Sequence, residues 1–126
     1  MSIAPAFDAH WIAGWALLLG GFLTGALLGT GFHRTEFVGG YSSLRRRLWR
    51  LGHIACCALG ILNLVTALAP VAPRPALGST ALIVGSIAMP LACFAVGCSA
   101  RLRLLFLVPV MALVLAAITY LNGELP

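Results

Sequence analysis

The sequence predicts an all-α integral membrane fold, a four-transmembrane-helix bundle with both termini on the outer side. Three observations carry that prediction. Four apolar runs, Trp11–Phe32, Leu48–Ala69, Leu77–Ala100 and Leu104–Leu121, take up most of the 126 residues. Each is about 18 to 24 residues long, and roughly 20 apolar residues at 1.5 Å rise cross the hydrocarbon core of a bilayer. Charged residues are only 9% of the chain and mean hydropathy is +1.04, so helices apolar on every side have no water-soluble packing that hides them. Finally, the basic residues fall between the runs. Residues 1–126 are expected to form a single four-span domain, with no room for a separate soluble domain.

The basic residues are all arginine, and their placement sets the orientation. Arg34, Arg45, Arg46, Arg47 and Arg50 lie between or beside the first and second runs; Arg101 and Arg103 lie between the third and fourth; Arg74 alone belongs to the middle connection. Cytoplasmic loops carry the excess of Lys and Arg, which puts the first and third connections inside and both termini outside. Arginines that flank spans point to anionic lipid headgroups, worth about 1 kcal/mol per residue near the surface, or to an acidic patch on another subunit. Nucleic acid is not an expected partner, since no soluble module presents them. The expected location is the bacterial inner (cytoplasmic) membrane.

The first span lacks the basic leader of a secretory signal, because Met1–His10 holds neither Lys nor Arg, and it is expected to remain in the mature protein. Trp11 and Trp15 open it, Trp49 opens the second span and Tyr120 closes the fourth, as amphipathic aromatics at headgroup level do. Gly21, Gly25 and Gly29 recur every four residues in the first span, with Gly14 and Gly20 nearby. Gly52, Cys56 and Gly60 make a similar stripe in the second, Ala81 and Gly85 in the third, Ala112 and Ala116 in the fourth. Small residues at this spacing let helix backbones approach closely, so these faces are expected to seal a compact bundle or to receive a partner helix. Pro90 and Pro109 are expected to kink the third and fourth spans. Pro70, Pro73 and Pro75 make the outer connection short and stiff, while part of the longer His33–Arg47 connection is expected to lie in the membrane interface.

The groups available for chemistry are few. No Asp, Glu, Lys or Arg falls near the middle of a run, whereas small four-span multidrug exporters are built around an intramembrane glutamate; Thr24 stands near that depth here. This argues against proton-driven antiport, which needs a titrating group. His33 and His53 lie toward the inner side of two antiparallel spans and are candidates to hold haem b, which neighbouring helices grip through imidazoles; His10 sits at the outer edge. His53, Cys57 and Cys93 are a candidate soft-metal set, although no CxxC spacing occurs and buried cysteine is a common small apolar filler. Asn63, amid an apolar run, is expected to bond across helices, with Thr24, Thr66, Ser79, Thr80 and Ser86 as polar groups on hand. No serine–histidine–acid set, carboxylate pair or phosphate loop occurs, so no enzyme acting alone is expected.

The expected function is therefore an accessory or assembly subunit of a larger membrane complex, electron-transfer or photosynthetic, docking through small-residue faces and an arginine-rich cytoplasmic rim. Two alternatives remain open. One is a small oligomeric channel lined by Thr24, Asn63, Ser86 and Thr119; the other is a stand-alone haem- or metal-binding membrane protein.

Overall fold

The computed structural model describes residues 8–69 and 75–123, whose regular elements are all helices, with no strand among them. Helix α1 is Ala9–Gly31, α2 is Leu44–Leu68, α3 is Ala76–Cys98, and α4 is Leu107–Gly123, entered through a 3-10 segment at Ala100–Phe106. Four helical stretches, the last running Ala100–Asn122, are long and apolar enough to cross a membrane. Pro70, Pro73, Arg74 and Glu124 lie outside the described residues.

Local chemistry sets the helix starts ahead of the apolar runs. Asp8 caps α1 by accepting from the His10 N–H at 2.9 Å, satisfying an amide that has no partner inside the helix. Ser43 caps α2 in the same way, accepting from the Arg46 N–H at 3.2 Å. Its hydroxyl donates to the Val38 carbonyl at 2.6 Å. Helix α2 therefore begins at Leu44 and carries Arg45, Arg46 and Arg47 in its first turn. The preceding turn holds Val38, Gly39 and Gly40 at φ 56°, 84° and 87°; that region suits the glycines and strains the β-branched Val38. Phe37 folds back onto Gly31 and meets Phe32 edge to face at 6.3 Å.

Pro90 lies inside α3, which continues through it. Pro109 differs from expectation: it is the third residue of α4, where its missing N–H belongs to the set that has no intrahelical partner anyway. It opens the helix after the 3-10 segment instead of kinking it.

Consecutive helices run antiparallel and pack on one another in chain order, while α4 rests on α3 and stands off from α1 and α2. Glycines make each contact. A Cβ on Gly60 would lie 3.0 Å from the Gly14 carbonyl oxygen and 3.1 Å from the Leu18 nitrogen, so here α1 and α2 meet backbone to backbone. Farther along, Gly21 receives Cys57 and Gly25 receives the His53 ring. Gly52 and Gly97 of the α2/α3 seam receive Phe94 and Trp49; Gly78 and Gly85 receive Thr119 and Leu113 of α4.

Two expectations are corrected. Gly29 has no atom within 4 Å of its would-be Cβ and is exposed, so the α1 contact runs Gly14–Gly21–Gly25 and ends there. The small-residue faces also join helices pairwise, not around one common axis. That leaves one apolar groove of about 480 Å³ between α1 and α3, bounded by Leu17, Thr24, Ile87 and Phe94. Another of about 390 Å³ lies between α2 and α4, bounded by Leu62, Thr66, Ala117 and Tyr120. Trp11 and Trp15 stay exposed, edge to face at 5.8 Å. Trp49 instead packs into the α2/α3 seam, its indole N–H buried without a partner.

Arg45 closes that seam at its far end, with Nε donating to the Gly97 carbonyl at 2.9 Å. This supplies a charged donor to the end of α3, where carbonyls lack partners and the helix dipole is negative. Arg45→Ala is expected to cost about 1 kcal/mol, read as a lower unfolding midpoint in detergent.

Candidate functional site

The deepest polar feature is a cluster joining three helices. His10 is 1% exposed, and Asn63 and Ser86 are fully buried. His10 Nδ1 lies 2.8 Å from Asn63 Oδ1 and Nε2 lies 2.5 Å from Ser79 Oγ. Asn63 Nδ2 donates to the Leu59 carbonyl at 2.8 Å and to Ser86 Oγ at 2.9 Å. The Leu59 carbonyl can only accept, which fixes Nδ2 toward it and Oδ1 toward His10. Nδ1 must then carry the proton given to Oδ1. In the neutral ring Nε2 accepts from the Ser79 hydroxyl, giving a single direction of donation from Ser79 through His10 and Asn63 to Ser86. Buried polar groups cost little when every member is paired, and both histidine nitrogens and the whole Asn63 amide are paired here.

His53 is arranged differently. Its Nδ1 lies 2.7 Å from the Gly21 carbonyl oxygen, an acceptor, so Nδ1 carries a proton, and in the neutral ring Nε2 keeps its lone pair. The half-buried ring rests against Gly25, where a Cβ would lie 2.5 Å from its Cε1. Nε2 has no hydrogen-bond partner among the described residues. An imidazole turned by an Nδ1–H to carbonyl bond with Nε2 free has the geometry of a metal-ligating histidine.

The other anticipated ligands do not join it. His33 is exposed in the turn beyond α1. The His53 ring sits at Gly25, eight residues back along the chain, which is about 12 Å at helical rise. His33 and His53 therefore do not make a two-imidazole site. Cys57 shares with His53 the α2 face turned to α1, whereas Cys93 is fully buried on α3. Among the described residues no group of three or more His, Cys, Asp and Glu side chains is placed to hold a metal ion, so His53, Cys57 and Cys93 are not brought together. The cysteines are free thiols.

The side chains considered for a channel also face apart. Thr24 donates to the Gly20 carbonyl of its own helix at 2.7 Å and borders the α1/α3 groove. Thr119 donates to the Ala116 carbonyl at 2.8 Å against Gly78. Asn63 and Ser86 are spent on each other.

The arginine rim divides in two. Arg47, Arg50, Arg101 and Arg103 are exposed. Arg45 caps α3, and Arg46 is turned inward, 5% exposed, its guanidinium 5.0 Å from the Phe32 ring centre and 5.1 Å from that of Tyr41. Sequence reasoning missed this burial and the role of His10. Comparison of the chain with family models, curated proteins and solved structures gives no match.

Proposed function

We propose that the chain is a multi-pass membrane protein with both termini outside, and an accessory subunit of a larger electron-transfer or photosynthetic complex to which it presents His53 as a ligand for a tetrapyrrole metal. Four apolar helices and arginines concentrated at one end of the antiparallel array support the membrane placement. The observation that carries the rest is the His53 imidazole, oriented by the Gly21 carbonyl with Nε2 unpaired. A haem- or chlorin-type group bound there supplies one-electron or light-absorbing chemistry. This chain contributes one nitrogen, the carbonyl that orients it and the Gly25 gap that seats the ring. His53 would hold such a group as this chain's one ligand, since His33 stands too far away to join it. The α2/α4 groove suits a partner helix: it is lined by the small residues Ala116 and Ala117, and beside them the Tyr120 hydroxyl is buried without an acceptor.

The test is a dithionite-reduced minus oxidised visible spectrum of the protein isolated from its native membrane with its neighbours. A band is expected that is lost in His53→Ala and kept in His33→Ala. Gly25→Val, which pushes the ring off the Gly21 carbonyl, is expected to weaken cofactor retention about 10- to 100-fold. A band that persists in the isolated chain would make this a cofactor protein acting alone. A band unaffected by His53→Ala would remove His53 from the proposal, and no band with no co-purifying subunit would favour an oligomeric channel.

A further inference from the structure

A second site lies at the arginine end, independent of His53. Arg46 is 5% exposed, yet its Nε is buried without a hydrogen-bond partner, and the polar contact its guanidinium makes, Nη2 to the Phe32 carbonyl, is 3.5 Å long. A buried guanidinium is costly unless its charge and its N–H groups are answered. The rings of Phe32 and Tyr41 flank it as cation–π partners, which offset part of that cost but accept none of its hydrogen bonds. The charges on its own helix are all positive. Arg45 and Arg47 are its chain neighbours, Arg50 follows one turn on, the first turn of α2 holds no acidic residue, and the helix dipole is positive at that end. Glu36, the acidic residue of the adjoining turn, is exposed and forms no ion pair with them.

Beside Arg46 lies an open-sided cavity of about 280 Å³ lined by Phe32, Tyr41, Arg46 and Arg50. Its volume falls just below the range of about 300–1,000 Å³ that holds drug-sized ligands, which is room for a headgroup. We propose that this cavity binds a phosphate group, with Arg46 as the buried fork, Arg50 as the outer cation and the Tyr41 hydroxyl as a further donor. Guanidinium and phosphate match in charge and bidentate geometry. The phosphate comes from an anionic phospholipid headgroup or from a small soluble phosphate, and the test separates the two.

The full chain is placed in nanodiscs of mixed phosphatidylglycerol and phosphatidylcholine, and retained lipid is counted by native mass spectrometry. One phosphatidylglycerol held in preference is expected, with Arg50→Gln weakening retention about tenfold and Arg103→Gln, outside the cavity, leaving it unchanged. Arg46→Lys tests the fork itself, and because Arg50 is exposed its variant remains informative if Arg46→Lys folds poorly. Displacement of the lipid by millimolar glycerol 3-phosphate or inorganic phosphate, or stabilisation by these in lipid-poor detergent, would identify the soluble form as the occupant of the same site. Equal losses in Arg50→Gln and Arg103→Gln, or no preference among lipids and no effect of phosphate, would overturn the proposal in favour of a diffuse basic rim.

Discussion

Asn63→Leu is expected to lower stability by about 2–4 kcal/mol, because it removes the one side chain that binds the polar cluster together. His10 would keep its ring buried with an Nδ1–H that has no acceptor, and Ser86 would lose its donor. Each buried polar group left unpaired costs about 1–3 kcal/mol. By contrast, interhelical bonds measured one at a time in membranes average about 0.6 kcal/mol, so Ser86→Ala should be mild. The measurement is equilibrium unfolding in mixed micelles, completed by a double-mutant cycle between His10→Ala and Asn63→Ala. A coupling of about 1 kcal/mol is expected for a direct bond. An Asn63→Leu protein within about 0.5 kcal/mol of wild type, the range of an ordinary surface change, would show that the cluster is not what holds α1, α2 and α3 in register.

Gly60→Leu is expected to cost about 3 kcal/mol or to prevent α1 and α2 from closing. Two of the three atoms its Cβ would meet belong to the α1 backbone, the Gly14 carbonyl oxygen and the Leu18 nitrogen, and the third is Leu18 Cγ; backbone cannot step aside as a side-chain tip can. Gly29→Leu, one member of the regular four-residue spacing, is expected to change stability by less than about 0.5 kcal/mol because nothing faces it. The pair is read by the same unfolding assay. Equal sensitivity at the two positions would mean that Gly29 is packed as closely as Gly60 and that the α1 contact extends past Gly25.

Helix number and approximate extent are legible because apolar length is a property of composition. Register is not. The Gly21–Gly25–Gly29 repeat is the more regular pattern, yet the chain leaves Gly29 open and adds Gly14, whose partner Gly60 can be paired with it only once the antiparallel offset is known. Asn63 announces itself as an amide in an apolar run, and Ser79 and Ser86 stand among its possible partners. His10 escaped because, beside Asp8 and Trp11, it reads as an interfacial residue. The available signal was depth: His10 and Ser79 each lie in the first turn of a helix, and Asn63 lies near the end of the helix between them. Arg46 was hidden by its neighbours. Three consecutive arginines at 100° steps spread over about 200° of the helix, and which one turns in depends on where Phe32 and Tyr41 lie, which only the folded turn sets.

Packing in chain order has a consequence for assembly in time. Helices that touch mainly their sequence neighbours keep contacts local, and such topologies form quickly. During synthesis at about 5–20 residues per second, the α1/α2 hairpin has its Gly14–Gly60 crossing available well before α3 has been made. The bond from His10 to Ser79 spans 69 positions and has to wait. Until α3 arrives, one nitrogen of that imidazole and the Ser86 side of Asn63 lack their α3 partners, so the third helix is what completes the cluster. Helix α4, which packs on α3 and on its own 3-10 lead, has its partner only once α3 is in place.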